Sequence, residues 1–592
     1  MFNNIIYFII VLLVFNIRPQ EGPPEDSFIY AALMFLLSLL AYAAYCRWEF
    51  LGLLRRFKAN REHEESFAGQ YHKLVLRLSI LGIFLFVLDV YLFHLKYWIQ
   101  LIPGLRSFSV IQGIMGILVF IIYLVMIWYF SHPVYQLIFQ VGIARRAYIL
   151  SNFKLNVPIL FPWIMLSLIY DLISLTPWAG SALFLDNPGG HILFFSFFLI
   201  LLMTFMPLLI QYWWGCKPLE PSEKLRTLNA FFREKGFRFR NLLNWPIFEG
   251  RMMSAGIMGI VPRFRYILVT ESLMEALSTE ELKAVMAHEM GHAKYRHMLF
   301  YIFFFLGFTA LSFGLFDIFF YFLATQPFFM GILMGGESEA SSLFYLFLAL
   351  PILITMFIYF RYVMGFFMRQ FERQADLYSA VAMGSPKETI SSLEKIALLS
   401  GKIRDLPSWH HFSIKERVDC LWRTLKSPEI VRRHNRFVAV SFGIYLIVMT
   451  SLGYLLNFSP LKENLIYRLM GRALQQEMVD QPDNPLLYQN LAMIYHRMGN
   501  YQEAINAYDT LLSLDRNQAV ALNNLAWILV TAPDERLRDK ERALALARRA
   551  VEIERSPIFL DTLAEAFYAN GFVDEAVRAI EEAISLTKEG AG

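Results

Sequence analysis

The sequence predicts a mainly α, polytopic helical membrane protein with a small α+β metal-binding segment and a C-terminal α-solenoid. Three observations predict it. Apolar runs of bilayer length recur between residues 28 and 458. An H-E-x-x-H motif, His288 to His292, lies in a helix-forming stretch. Beyond residue 470 a 34-residue helical period replaces the apolar runs.

Composition supports the membrane class. With 56% hydrophobic residues, 18% charged residues and a mean hydropathy of +0.43, the chain is too apolar for an ordinary soluble enzyme. Its 592 residues predict several domains. The net charge of +4 is too small to argue for nucleic acid, and no such partner is expected. Cys46, Cys216 and Cys420 give neither a disulfide framework nor a paired metal spacing, and read as free thiols on a reducing side of the bilayer.

Spans are expected at 28–46, 78–98, 107–130, 157–176, 192–215, 298–324, 342–361 and 437–458. Each offers roughly the 20 apolar residues that a helix needs to cross hydrocarbon. FNNIIYFIIVLLVF at 2–15 lacks the basic start and small-residue cleavage site of a signal peptide, so it reads as an extra N-terminal span.

Lys and Arg in the short loops set the orientation. Arg47, Arg55, Arg56, Lys58, Arg61, Lys73 and Arg77 follow the 28–46 span, and Arg145, Arg146 and Lys154 sit at 132–156. The 177–191 loop has Asp186 and no basic residue, and 325–341 has only Glu337 and Glu339. Residues 47–77, 132–156, 216–297 and 362–436 are therefore expected in the cytoplasm, and the chain after the last span on the opposite side. Phe-rich spans and fused repeats point to a bacterial inner membrane. Asp89, Asp171 and Asp317 interrupt apolar runs. Such acids face a partner or a wet cavity, unless they reach the interface from a span end.

The stretch LSTEELKAVMAHEMGHAKYRH ends at residue 297. Ser278 can cap, Glu281 can close a capping box, and Leu277 with Leu282 can form a hydrophobic staple, so the motif belongs inside a helix. Four residues advance about 400°, which brings His288 and His292 onto one face, about 6 Å apart along the axis. Both rings can then reach one zinc ion per chain. Glu289 can take a proton from a metal-bound water. The bland alternative, a structural pair of histidines, leaves the capped helix and the small Ala287 and Gly291 without a reason.

A catalytic zinc takes three protein ligands and keeps one open position. His297 does not fit as the third: five residues past His292, it swings about 140° away on a helix, and is expected behind the ligands or at the surface. FMRQFERQADLYSA at 367–380 is the better source. Glu372 and Asp376 share a helical face that continues from the 342–361 span, so Glu372 can be the third ligand while Asp376 orients a ligand histidine. Alone, the pair would read as a solvated charged face with Arg369 and Arg373.

H-E-x-G-H with a trailing histidine, then E-x-x-x-D after two spans, resembles membrane zinc metallopeptidases of the HtpX and CAAX prenyl protease type. The likeness covers roughly 28–430 and is specific at the zincin-like metal segment. It implies that His411 and Arg417, in SWHHFSIKERVDCL, stabilise the oxyanion of the tetrahedral intermediate. It also implies that an edge strand within 254–277 holds substrate as an added strand. This chain has Ser254–Ala255 where the family usually has Asn-Ala, which touches the detail of that clamping. By analogy, the intramembrane acids line a water-filled chamber.

The C-terminal segment repeats itself. Leu491–Ala492, then Gly499, Tyr501 and Ala504, recur as Leu525–Ala526 and as Leu563–Ala564 with Gly571, Phe572 and Ala576. A four-residue excess in the second period falls on the insert PDERLRDK. This resembles tetratricopeptide repeats, whose stacked helices bind peptides or proteins.

The expected organisation is N-terminal spans over 1–215, a metallopeptidase segment at 216–436 with two spans, a final span at 437–458 and repeats at 470–592. The expected function is hydrolysis of peptide bonds in membrane-associated or misfolded proteins, with the bilayer and a repeat-bound protein as further partners. The competing reading is a catalytically silent scaffold that recruits partners through its repeats. A transporter reading rests on the intramembrane acids alone.

Overall fold

The computed structural model describes residues 2–17, 28–59, 64–105, 108–139, 142–174, 188–246, 248, 253–326, 328–329, 338–399 and 411–589. The chain divides into two units, Met1–Phe313 with Ser341–Gly453, and Gly314–Ala340 with Tyr454–Gly592. Among the described residues, seven helices are long and apolar enough to cross a membrane, or eight if one bent pair counts as a span.

Helices Phe28–Ala59, Glu64–Tyr91 and Ser109–Ile138 pack around an aromatic core that includes Tyr42, Phe50, Phe86, Phe120 and Tyr123. The N-terminal helix Phe2–Ile17 joins them through Phe8, Val11 and Phe15, although at 16 residues it is shorter than a full crossing. The expected 157–176 span departs most from expectation. It is the second arm of a bent pair, Arg145–Asn156 and Phe161–Ile169, at 51°. Pro158 and Pro162 lack the N–H that a continuous helix needs there.

Each intramembrane acid has a protein partner. Asp89 accepts from the Tyr123 hydroxyl at 2.8 Å. Asp171 accepts from Ser109 Oγ at 2.7 Å and from the Val110 N–H at 3.0 Å, so it caps the start of a neighbouring helix. Asp317 pairs with Lys462 at 2.7 Å. A chamber is therefore not needed to explain them.

Outside its long apolar helices, the first unit holds a four-stranded sheet. Strands β1 (Lys217–Pro218), β2 (Asn241–Asn244), β3 (Ala255–Met258) and β4 (Tyr266–Val269) lie in the order β1-β2-β4-β3. The apolar run YILV suits β4, which is buried throughout and pairs parallel with β2 and antiparallel with β3. That leaves β3 as an edge, half exposed along its length.

The metal helix, Thr279–Lys294, starts on the expected capping box, with Glu281 N–H to Ser278 Oγ at 3.3 Å and Ser278 N–H to Glu281 Oε2 at 2.8 Å. Glu281 also binds Ser391 Oγ at 2.6 Å and Lys395 at 2.8 Å, tying this helix to Lys387–Leu399. Burial would raise its carboxyl, but Lys395, Ser391 and Ser278 outweigh it and hold it at about 2. A carboxylate held below its ordinary 4.5 stabilises the fold above that value, and the gain fades as pH falls toward about 2. Glu281→Ala is expected to cost about 2 kcal/mol at neutral pH. The difference from wild type in tryptophan-monitored melting should shrink between pH 5 and pH 3; a constant difference would contradict this account.

In the second unit, helices Pro485–Arg497, Tyr501–Leu514, Ala519–Thr531, Lys540–Ile553, Pro557–Ala569 and Val573–Glu589 form successive pairs. Ala492, Ala504, Ala526, Ala564 and Ala576 are buried where the helices meet. Gly499 and Gly571 turn the pairs at φ of 76° and 85°, where a side chain is disfavoured. The insert forms a single turn at Glu535–Leu537.

Candidate metal centre

Two helices supply the donors. His288 and His292 project from the metal helix, as the four-residue spacing requires. Glu372 comes from the helix Gly365–Met383, which follows the membrane helix Ser338–Ile358 through a π-helical turn at Tyr359–Met364. Gly291 lets the helices meet: a Cβ there would stand 2.9 Å from Ala375 Cα. The contact falls between the paired donors on both helices.

His288 Nε2 and His292 Nε2 are 3.2 Å apart, and each lies 3.5 Å from a Glu372 carboxylate oxygen. One ligand atom from each residue falls within 4.8 Å of the other two. Tetrahedral bonds of about 2.0–2.1 Å place ligand atoms about 3.3–3.4 Å apart, so the triad fits a zinc ion. The electrostatics agree. Burial would lower His288, yet Asp376 and Glu372 push it up to about 10, so positive charge is favoured at this point. His292 is pushed down to about 3, first by burial and further by His288 and His297, against the pull of Glu372.

Asp376 sits where the i, i+4 spacing predicted, with Oδ1 2.9 Å from His288 Nδ1. That contact places the His288 proton on Nδ1 and leaves Nε2 for the metal. Arg417, on the helix Ile414–Lys426, grips Asp376 with two bonds, Nε to Oδ2 at 2.8 Å and Nη2 to Oδ1 at 2.7 Å. The spacing alone did not reveal this partner, which makes Arg417 the holder of Asp376. His411 Nδ1 lies 3.0 Å from Glu372 Oε2, and its side chain is 38% exposed at the mouth of the site.

Glu289 lines a cleft of about 400 Å³ together with Ser254 to Ile257, Leu393 and Ile396. Burial pushes its carboxyl up to about 7 against the opposing charges of His288 and Arg417. It lies outside the ligand triad.

His297 is buried and falls outside the donor triad; its Nδ1 lies 2.9 Å from His292 Nδ1. A continuous helix would have carried it away. The metal helix ends at Lys294, Arg296 takes φ of +57°, and a new helix starting at His297 turns the ring back. Gln374, Asn435 and Tyr295, which extend this contact, were missed in the sequence because no spacing rule marks a neutral amide.

Residues 226–439 match the profile of Peptidase family M48, and residues 485–518 match a tetratricopeptide repeat. A Protease HtpX homolog of Aeropyrum pernix is 30% identical over 132 residues, 22% of this chain and 39% of that protein. A Protease HtpX homolog of Thermoplasma acidophilum is 28% identical over 191 residues, 31% of this chain and 54% of that protein. The chain thus spans about half or less of the length of these curated relatives. The crystal structure of S. mikatae Ste24p is similar over 67% of this chain and 100% of its own, at 16% identity and a TM-score of 0.44. Residues 226–439 thus resemble Peptidase family M48 by profile and by two relatives, in a chain that also carries apolar helices of membrane-spanning length and a segment matching a tetratricopeptide repeat.

Proposed function

We propose that the protein is a membrane-embedded zinc metalloendopeptidase that cleaves membrane-associated or misfolded proteins. The observation that carries this reading is Glu289 lining a cleft of about 400 Å³ beside a His–His–Glu triad of tetrahedral spacing. His288, His292 and Glu372 would hold one zinc ion. When bound, it supplies a Lewis acid that polarises a carbonyl and acidifies water. Glu289 takes the proton of the attacking water and later returns it to the leaving amine. His411 donates to the developing oxyanion from the mouth of the cleft, while Arg417 acts through Asp376 and adds positive charge nearby.

The edge of β3, where the Ile257 N–H meets the Glu289 carboxylate, can pair with an extended substrate segment along Ser254–Ile257. Only an unfolded or loop segment offers such a strand, which favours misfolded proteins as substrates. The basic loops favour a cytoplasmic active site with the 470–592 repeats on the opposite side as a protein-docking arm, and the Phe-rich spans with fused repeats favour a bacterial inner membrane.

The test is metal removal. Detergent-purified protein should hold one zinc per chain and cleave unfolded casein. Chelation should abolish cleavage, and one equivalent of zinc should restore it. Cleavage that survives full chelation would sink the metallopeptidase reading, and a wild type without zinc would favour the silent scaffold.

A further inference from the structure

We propose that His297, Gln374, Asn435 and Tyr295 form a one-way hydrogen-bond chain that fixes His292 as an Nε2 ligand and ties the metal site to the last membrane helix, Glu429–Asn457. This rests on the metallopeptidase reading above. The contacts are continuous. His292 Nδ1 meets His297 Nδ1 at 2.9 Å, and His297 Nε2 meets Gln374 Oε1 at 2.9 Å. Gln374 Nε2 donates to Asn435 Oδ1 at 2.9 Å, and Asn435 Nδ2 donates to the Tyr295 hydroxyl at 3.1 Å.

Counting protons fixes the direction. A His292 that offers its Nε2 lone pair to a cation carries its proton on Nδ1. That proton goes to His297 Nδ1, so His297 is protonated on Nε2 and needs an acceptor beyond it. The Gln374 carbonyl oxygen is one, and its NH2 must then turn toward the Asn435 oxygen. The reverse direction would put a proton on His292 Nε2, facing the cation. Only one sense of the chain is compatible with metal.

The surroundings hold that sense. His297 is 1% exposed and Gln374 5%, so water does not compete for their bonds. The His297 ring stacks on Phe371 at 4.4 Å and 12°. The last membrane helix grips the Glu372 helix at consecutive residues, His434 on the Gln370 carbonyl at 3.0 Å and Asn435 on Gln374, one turn further along. These are positioning residues; none of them is a metal ligand.

The experiment measures zinc affinity of the full-length protein in detergent by competition with a chelator. Gln374→Leu removes the acceptor and should weaken zinc about 10- to 100-fold. Gln374→Glu keeps an acceptor for His297, and Asn435 can flip its amide to serve it, so affinity should stay within about threefold of wild type. Asn435→Leu should weaken zinc by about 3- to 10-fold; unchanged affinity there would remove the link to the last helix.

Wild-type affinity in Gln374→Leu, or equal losses in the Leu and Glu variants, would overturn the chain. Should Gln374→Leu fail to fold, 15N-histidine NMR of zinc-loaded wild type decides: a proton on His297 Nε2 supports the proposal and one on Nδ1 defeats it. A wild type that binds no zinc fails the underlying reading, an outcome distinct from zinc binding that ignores Gln374.

Discussion

Exchanging Glu289 for glutamine is expected to lower cleavage of an unfolded protein by about 100- to 10,000-fold while leaving one zinc per chain. The substitution keeps shape and volume and removes only the ability to accept a proton. The separation of the two effects follows from geometry. Glu289 lines the cleft beside β3, whereas the atoms proposed to hold zinc belong to His288, His292 and Glu372. Zinc content and cleavage rate, measured on the same preparation, check both halves. Residual cleavage within tenfold of wild type would remove Glu289 as the base, and loss of zinc along with activity would make it part of the ion's cage instead.

The parts of this site that local rules govern were legible in the sequence. The capping box at Ser278 and Glu281 is formed as the residues require, and the four-residue spacings put His288 with His292 and Glu372 with Asp376 on common faces. The stop before His297 was not legible. Arg296 adopts a left-handed conformation that its side chain does not advertise, and the ring returns to His292 because of that one residue. Long-range polar partners were hidden as well: Asn435 and Tyr295 are 140 residues apart, and an amide pair carries no periodic signal. Arg417 could be picked out by resemblance, yet its fork on Asp376 emerges only once the helices are packed. The apolar run at 157–176 marked the second arm of the bent pair at 145–169, while the bend itself follows from Pro158 and Pro162, which lack the N–H a continuous helix needs.

Gly291→Val is expected to weaken zinc binding by at least about 100-fold and to destabilise the peptidase segment by about 1–3 kcal/mol. A Cβ at 291 would meet Ala375 Cα at 2.9 Å and Ala375 O at 3.3 Å. Both are backbone atoms, which cannot swing aside as the end of a side chain would, so the two helices must separate. Gly291 stands beside His292 and one turn from His288; Ala375 stands beside Asp376 and one turn from Glu372. Any separation therefore acts on the donors directly, lengthening the 3.5 Å approaches of Glu372 to both rings and the 2.9 Å contact of Asp376 with His288. Metal–ligand distances tolerate only about 0.2 Å, so a displacement of about 1 Å leaves two imidazoles without their carboxylate. Ala293→Val adds the same bulk on the same helix at a half-buried position away from this contact, and should bind zinc nearly as wild type does. Equal affinity in Gly291→Val and wild type would show that the ligand geometry is set elsewhere; a loss confined to Gly291→Val would make this single close approach the feature that brings both ligand helices to one ion.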